Sequence, residues 1–231
     1  MKTPLIYKRW PAKHPDRIQL YSANSPNGIK VSTALEEMAL AYEPHTVNIF
    51  EGEQFTDEYK SINPNSKIPA ILDPDGANGK TVAIMESGAI LIYLAEKSGK
   101  LLSSDPIEKN ACLQWLFFQV GHVGPMFGQF EHFDKFAVDK CQDPYPKERY
   151  RKEAARLLGV LEARLADRDF IMGSGYSIAD IATFPWVRSV KEICRDEDYL
   201  GMAEFRNVGS WLARCVERPA SVRGINVCVL V

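Results

Sequence analysis

The spacing of hydrophobic residues changes near residue 100, and this change constrains the fold more than any other feature of the chain. Before residue 99, short alternating segments typical of β-strands occur between segments with helical spacing. Beyond residue 106 the strand signals almost disappear and the spacing is helical. With 231 residues, the chain is longer than one average domain. We therefore predict an α/β domain over residues 18–98, a linker over residues 99–106 and an all-α domain over residues 107–231.

Residues 1–17 are predicted to form an irregular arm, because they contain Pro4, Pro11 and Pro15. The sequence becomes polar from Lys8 onward, so it lacks the apolar region of a signal peptide. No later stretch has the roughly 18 uncharged apolar residues that a membrane span needs. The five cysteines are an odd number without C-x-x-C spacing, which indicates free thiols in a reducing compartment. We expect a cytoplasmic protein without a membrane partner.

Charge and histidine spacing argue against two further classes of function. The net charge is -2, so no basic surplus is present to neutralise phosphates, and we expect no nucleic-acid partner. His122 and His132 have no cysteine or acidic residues near them at metal-ligand spacing. We assign no metal site.

The predicted element order within residues 18–98 is strand, helix, strand, short helix, strand, strand, helix. The first strand covers residues 18–21, and a turn at residues 25–28 (Ser-Pro-Asn-Gly) opens a helix with apolar residues at helical spacing. An Asp-Pro-Asp-Gly turn separates residues 67–72 from residues 82–85, which predicts an antiparallel pair. The result is a small α/β sandwich, half parallel and half hairpin.

Three motifs in fixed order accompany this layout: Lys-Ile-Pro-Ala at residues 67–70, Glu-Ser-Gly-Ala-Ile at residues 86–90 and Ser-Ile-Ala-Asp at residues 177–180. With them, residues 18–220 resemble the cytosolic glutathione transferase family. Within the family the chain is most similar to the bacterial nu class, which is related to the folded domain of the yeast nitrogen-regulating prion protein. The resemblance implies a thioredoxin-like N-terminal domain followed by an all-helical C-terminal domain. It also implies glutathione as co-substrate, with one or two molecules in each site.

A site for glutathione must offer an anion hole, an acidic partner and an extended backbone edge. A helix beginning at Glu86 and Ser87 presents N–H groups and a positive dipole to the γ-glutamyl carboxylate, and the Ser87 hydroxyl is a further donor. Glu86 can pair with the ammonium group. Taken alone, Ser87 would be read as a helix cap and Glu86 as an acid that suits the dipole.

The resemblance implies a cis peptide bond between Ile68 and Pro69, which turns the backbone of Ile68 outward to pair with the cysteinyl part of glutathione. The alternative is an ordinary trans proline at the start of a strand. Lys67 and Gln54 are polar residues of the neighbouring loops, suited to the glycyl carboxylate or the γ-glutamyl end. A solvated surface position is the alternative for each.

Residues 25–28 occupy the place of the C-P-x-C motif of thioredoxins and glutaredoxins, but both cysteines are absent. Any thiol chemistry there must be done by glutathione itself. Asn27 has an amide donor for a thiolate at the helix N-terminus, and Ser25 can add a hydroxyl. We predict both as catalytic residues. The alternative is a turn with a helix cap, since all four residue types favour turns.

In the helical domain, Arg149 matches a nu-class position that can meet the carboxylate of a second glutathione, although a solvated helix arginine is also consistent with the sequence. Ser177 and Asp180 have capping-box spacing and are predicted to be structural. The aromatic-rich residues 115–133 suit core, a dimer surface or the wall of a substrate pocket. The family resemblance favours a homodimer.

Two functions follow from this pattern. One is a glutathione transferase with glutathione-dependent disulfide-bond reductase activity, acting on small disulfides or electrophiles. The other is a non-catalytic binding or regulatory module with the same fold. Asn27, Glu86 and Ser87 favour the enzyme. The sequence alone does not identify the second substrate.

Overall fold

The computed structural model describes residues 3–194 and 199–230. Two compact units are present. One contains the residues up to Lys100 together with those from Pro219 onward, and the other is Leu101–Arg218. The first unit holds the strands of the described chain, whereas the second consists of helices and their connections. The predicted succession of an α/β region and an all-α region is therefore confirmed.

The first unit contains a four-stranded mixed sheet. Its strands are β1 Ile18–Ser22, β2 Tyr42–Thr46, β3 Ala70–Asp73 and β4 Val82–Met85, in the spatial order β2-β1-β3-β4. β1 pairs in parallel with β2 and antiparallel with β3, and β3 and β4 form the predicted antiparallel hairpin pair. Because β1 and β3 are buried on both faces, helices and loops must cover the sheet on each side.

The helices of the described residues are α1 Pro26–Met38, α2 Asp57–Lys60, α3 Ser87–Ser98, α4 Pro106–Phe118, α5 Gly124–Glu131, α6 Pro144–Arg164, α7 Ile178–Ile193, α8 Arg206–Val216 and α9 Pro219–Ile225. Ser25 caps α1, and Pro26 supplies the fixed φ that suits a first helical position. Gly28 approaches the preceding loop so closely that an added Cβ would lie 1.9 Å from the Ala23 carbonyl oxygen. Only glycine fits at that step of α1.

The predicted irregular arm contains a helical turn and contributes to the core. Leu5–Lys8 form a 3-10 turn, Ile6 is fully buried, and Trp10 donates from Nε1 to the Thr46 carbonyl oxygen at 3.0 Å. These side chains pack with Tyr21 and Tyr59. Residues 3–17 therefore depart from the prediction, because two apolar side chains between the prolines cover one end of the sheet.

The C-terminal segment also differs from the predicted division, which assigned it to the helical domain. α9 packs along α1, where Ser32 Oγ donates to the Gly224 carbonyl oxygen at 2.7 Å. The two helices are so close that a Cβ on Gly224 would lie 2.7 Å from Thr33 Cα. Arg223 forms an ion pair with Glu36. The segment from Pro219 onward thus belongs to the first unit.

The second unit is built around α4, α5, α6, α7 and α8, whose facing side chains form its core. Leu157, Leu158 and Leu161 recur at helical spacing on α6 and are fully buried. Among the aromatic side chains of residues 115–133, Phe127 and Phe130 are buried in this core, whereas Phe117 is 63% exposed. No helix among the described residues is long and apolar enough to cross a membrane.

Candidate functional site

The first unit contains a cavity of about 260 Å³ where the starts of α1 and α3 meet the loop before β3. Its lining residues are Asn27, Asn63, Asn65, Lys67, Ile68, Pro69, Glu86 and Ser87. Five of the eight predicted site residues are therefore brought together. A larger cavity, of about 750 Å³, lies in the second unit between α7 and α8. It contains none of the predicted site residues.

The start of α1 places Asn27 at the cavity in the first turn of the helix. The first N–H groups of a helix have no partner within the helix, and the dipole there is positive. Ser25 precedes the helix, and its Oγ accepts from the Gly28 N–H at 3.3 Å. Ser25 is not among the residues that line the cavity, and its observed contact is that of a cap.

The loop before β3 presents the backbone of Ile68 to the cavity. The Ile68–Pro69 peptide bond is cis, as the family resemblance implied. Two side chains hold this loop through the Lys67 carbonyl oxygen, which accepts from Asn63 Nδ2 at 2.6 Å and from the Tyr59 hydroxyl at 2.8 Å. The Lys67 side chain itself is exposed at the cavity.

The start of α3 combines an acid, a hydroxyl and a helix N-terminus. Glu86 is the N-cap residue, its side chain makes no capping hydrogen bond, and its φ is 69°. A non-glycine residue at such a φ costs on the order of 1 kcal/mol, so the surrounding structure must hold it there. The Glu86 side chain is exposed and Ser87 is 9% exposed. The first-turn N–H groups and the carboxylate thus share one small region.

A lysine lies directly behind this helix start. Lys30, in α1, is 2% exposed, and its Nζ donates to Ser87 Oγ at 3.2 Å. Burial lowers the pKa of Lys30 to about 7, although the charge of Glu86 opposes the shift. Lys30 was not among the predicted site residues, because a lysine within a helix is usually solvated.

Asn63 and Asn65 were also missed as site residues, although the Asn-Pro-Asn sequence contained a usable signal. The Asn63 Oδ1 accepts from the Asn65 N–H at 2.9 Å, a local turn that asparagine favours. The same side chain donates to the Lys67 carbonyl oxygen. Asn63 therefore links the turn to the backbone edge of Ile68.

Two other predicted residues lie outside the cavity lining. Gln54 belongs to a 3-10 turn at Glu53–Phe55 and donates from Nε2 to the Ile49 carbonyl oxygen at 3.3 Å, while its Oε1 is buried without a hydrogen-bond partner. Arg149 is an exposed residue of α6 in the second unit. Neither residue is among those that line the cavity.

The cavity can hold a small zwitterion. Two helix starts and Lys67 favour negative groups, and Glu86 favours a positive one. The backbone of Ile68 offers the hydrogen-bonding edge of an extended peptide. Among the described residues, no group of three or more His, Cys, Asp or Glu side chains could hold a metal ion.

Comparison with known proteins gave two matching family descriptions. The glutathione S-transferase N-terminal domain matches residues 24–97, and the glutathione S-transferase C-terminal domain matches residues 113–219. The disulfide-bond oxidoreductase YfcG of Escherichia coli (strain K12) is 44% identical over 205 residues, which are 88% of this chain and 92% of that protein.

Two solved structures are similar over almost the whole chain. A glutathione transferase from Burkholderia graminis, with two glutathione molecules bound per subunit, has a TM-score of 0.94 and 52% identity, covering 96% of this chain and 93% of its own. A glutathione transferase from Pseudomonas putida, with one glutathione disulfide bound per subunit, has a TM-score of 0.93 and 50% identity. The alignment covers 96% of each chain.

Proposed function

The chain belongs to the glutathione S-transferase family, with a thioredoxin-like domain followed by a helical domain, and from this premise we propose that it is a glutathione-dependent disulfide-bond reductase and transferase. The observation that carries the proposal is the single cavity that joins Asn27, the Ile68 edge and the Glu86–Ser87 helix start. Relatives named as a disulfide-bond oxidoreductase and as glutathione transferases with bound glutathione or glutathione disulfide support it.

Each part of glutathione has a counterpart in the cavity. We propose that the γ-glutamyl carboxylate binds the first-turn N–H groups of α3 and the Ser87 hydroxyl, and that its ammonium group pairs with Glu86. The Ile68 backbone pairs with the cysteinyl part. Lys67 suits the glycyl carboxylate. Gln54 does not line the cavity, and we propose it as a further ligand for the glycyl carboxylate or the γ-glutamyl end. Its Oε1 is buried without a hydrogen-bond partner.

The proposed catalytic effect is stabilisation of the glutathione thiolate at the start of α1. A thiol with a pKa near 8.5 is only about 3% thiolate at pH 7, and lowering this pKa by roughly 2 units requires about 2.7 kcal/mol. A hydrogen bond from the Asn27 amide and the positive end of α1 are together of this size. Ser25, whose oxygen already accepts from Gly28, is proposed to contribute less than Asn27.

Disulfide reduction then proceeds by two exchange steps. The bound thiolate attacks one sulfur of the disulfide substrate, forms a mixed disulfide with glutathione and releases the other sulfur as a thiolate, which takes up a proton. A second glutathione thiolate attacks the glutathionyl sulfur, which releases the second product thiol and leaves glutathione disulfide. We propose that the exposed Arg149 guanidinium holds a carboxylate of this second glutathione.

The test is steady-state reduction of the disulfide of 2-mercaptoethanol by glutathione. Asn27→Ala is expected to lower kcat/KM by tenfold or more, because the thiolate loses a direct donor. Ser25→Ala, the matched variant at the same helix start, is expected to lower kcat/KM less and to cost about 1 kcal/mol of stability as a lost cap. Equal activity of Asn27→Ala and wild type would contradict the mechanism.

A protein thiol is the alternative nucleophile, and the cysteines provide a sharp control. Cys112, Cys194, Cys215 and Cys228 are buried, while Cys141 is half-buried. Burial raises the pKa of Cys112 and raises that of Cys228 to about 11. Cys141 is thus the most accessible of the five thiols. Because the proposed nucleophile is the glutathione thiolate, Cys141→Ser should keep full activity. Loss of disulfide reduction with conjugation of an aryl halide retained would show that Cys141 carries the chemistry. Glutathione binding without either reaction would favour the non-catalytic binding module.

We further propose that the protein acts in the cytoplasm, because its five cysteines are free and need reducing conditions to stay so. We also propose a homodimer. The exposed Phe117 lies beside Leu113 and Phe118 on α4, and an apolar surface of this kind suits a second copy of the chain. Light scattering at micromolar concentration should give twice the mass of one chain, and the mass of a single chain would contradict the dimer.

A further inference from the structure

Lys30 is a buried cation behind the helix start that receives the γ-glutamyl carboxylate in the proposed function. Lysine is almost never fully buried in proteins unless it has partners, and Lys30 is 2% exposed. Its Nζ donates to Ser87 Oγ at 3.2 Å, so the cation and the proposed ligand share one hydroxyl. A position of this kind can influence the ligand through Ser87.

The charges around Lys30 come from several elements. Glu86, at the start of α3, is the charged group that acts most directly on it. On α1, Glu36 lies six residues further along and is paired with Arg223 of α9. The other charged residues on α1 and α3 lie still further along those helices: Glu37, Glu96 and Lys97. Lys67 lines the same cavity with its ammonium group exposed.

Burial opposes the charged form of Lys30 and lowers its pKa to about 7, so both forms are populated near neutral pH. The two forms hydrogen-bond differently. A lysine ammonium group can only donate, so Ser87 Oγ accepts from it and the Ser87 hydroxyl hydrogen is free to point into the cavity. A neutral amine has a lone pair, and the same hydrogen can then turn inward to it.

We propose, on the basis of the proposed function, that Lys30 is a positioning residue that acts through Ser87. Its ammonium group directs the Ser87 hydroxyl toward the γ-glutamyl carboxylate of glutathione, and binding of that carboxylate places a proton on Lys30. The carboxylate adds a negative charge near a cation in a region of low dielectric, so it favours the charged form of lysine. Glutathione affinity consequently falls as the pH rises from 6 to 9.

The sign of the linkage follows from this arrangement. Below pH 6 Lys30 is already charged in the free protein, and binding takes up no proton there. Above pH 7 the free protein contains mostly neutral Lys30, and binding must supply the proton from the buffer. If the ligand raises the pKa of Lys30 by about one unit, affinity falls about tenfold between pH 6 and pH 9.

The experiment is titration calorimetry of the full chain with S-methylglutathione, which keeps both carboxylates and the ammonium group but has no thiol to titrate. The ligand's ammonium group also titrates in the alkaline range, and its contribution is common to wild type and variants. Binding enthalpies in phosphate and Tris buffers give the number of protons taken up. Wild type should take up almost none at pH 6 and a substantial fraction of one proton at pH 8. Equal uptake at both pH values would overturn the proposal without recourse to any variant.

Two lysine variants localise the proton. Lys30→Met, of similar length and without charge, should lower the uptake at pH 8 to the part that belongs to the ligand's own ammonium group, and it should make the affinity less dependent on pH. Lys67→Met is the matched control from the same cavity, and it should weaken binding while leaving the uptake unchanged. Unchanged uptake in a folded Lys30→Met protein would overturn the proposal.

The route through Ser87 has its own test. If Lys30 acts through Ser87 as well as through its charge, then Lys30→Met should cost less affinity at pH 6 in a protein that already carries Ser87→Ala than in wild type. A full additional loss in that background would contradict the route. Failure of wild type to bind S-methylglutathione would instead contradict the proposed function itself, so the two failures are distinguishable.

Discussion

The first N–H groups of a helix lack partners within the helix, and the starts of α3 and α7 differ in how side chains meet this need. At α7, the Ser177 side chain accepts from the Ala179 N–H, and Asp180 accepts from the Ser177 N–H and hydroxyl, from the Ile171 N–H and from Trp211 Nε1. At α3, the Glu86 side chain makes no capping bond and stands exposed beside a cavity.

The difference shows how a helix N-terminus is committed to structure or left open for a ligand. Asp180 is fully buried and uses both of its oxygens on groups of its own unit, so nothing remains for a ligand. Glu86 holds a positive φ and leaves the first turn of α3 without a side-chain cap. We infer that the partners of a polar group, rather than its residue type, separate the two roles.

The largest effect is expected when the satisfied helix start is broken. Asp180→Ala removes the acceptor for two backbone N–H groups and for Trp211 Nε1, which are left inside the unit without a partner. The free energy of unfolding should fall by about 3 kcal/mol or more, measured by urea unfolding. Ser174→Ala, at an exposed site nearby, should cost less than about 0.5 kcal/mol. A loss below 1 kcal/mol for Asp180→Ala would contradict the claim that the hydrogen bonds of Asp180 stabilise the second unit.

An intermediate effect is expected at α3, where substitutions should weaken ligand binding more than they weaken the folded state. Ser87→Ala and Glu86→Gln should each weaken S-methylglutathione binding by about 1.5–3 kcal/mol, the range for hydrogen bonds to charged groups. The unfolding free energy of Glu86→Gln should change by at most about 1 kcal/mol, because the Glu86 side chain is exposed and makes no capping bond. Ser87→Ala should cost more stability than Glu86→Gln, because it also removes an acceptor of the buried Lys30 ammonium group. Calorimetry and urea unfolding of the same samples measure both quantities. Unchanged affinity in both variants would place the anion site elsewhere.

The smallest effect on the free energy of unfolding is expected at Glu131. This residue tests whether a buried carboxylate that lacks some of its hydrogen bonds destabilises the folded state. Glu131 Oε1 is buried without a hydrogen-bond partner, and burial raises the pKa of this carboxyl although Ser189 and Lys135 oppose the shift and Glu192 adds to it. A raised carboxyl pKa means that the folded state holds the proton more tightly than the unfolded state. Stability from this group is therefore greatest at acid pH and declines as the pH rises through the folded-state pKa.

Glu131→Gln removes this decline, so the variant should gain stability relative to wild type between pH 4 and pH 7. Urea unfolding at several pH values measures the difference. A stability difference that is constant with pH would show that the carboxylate is better satisfied than its contacts indicate.

The interactions that could be predicted from the sequence join residues that are close along the chain. The Ser177–Asp180 capping box was predicted from its spacing, and the structure confirms it. The bonds from Ile171 and Trp211 to the same carboxylate were not predicted, because they depend on how α8 and the loop before α7 pack. Local spacing identifies a cap, but only the tertiary structure shows that both oxygens of the Asp180 carboxylate already accept hydrogen bonds.

In the candidate site, too, some residues could be predicted from sequence motifs and others depend on tertiary packing. The order of the motifs predicted that Ile68, Glu86 and Ser87 belong together, and the structure brings them to one cavity. Lys30 was missed because the apolar positions of α1 predicted a single buried face, whereas α3 and α9 both pack against this helix. The Lys30 side chain is paired with Ser87 of α3, a contact between residues that are far apart along the chain.

The closure of α9 over α1 also sets the order in which the protein can be completed during synthesis. Domains generally fold as units while the chain emerges, with the N-terminal one first. Here Gly224 and Arg223, which contact Thr33 and Glu36, leave the ribosome only after the whole of Leu101–Arg218 has been made. The helical unit can therefore be complete while the first unit still exposes one side of α1. In a nascent chain that is stalled before Pro219, the face of α1 that α9 normally covers should stay exposed. Chaperones should then bind the N-terminal unit rather than the helices that were synthesised last.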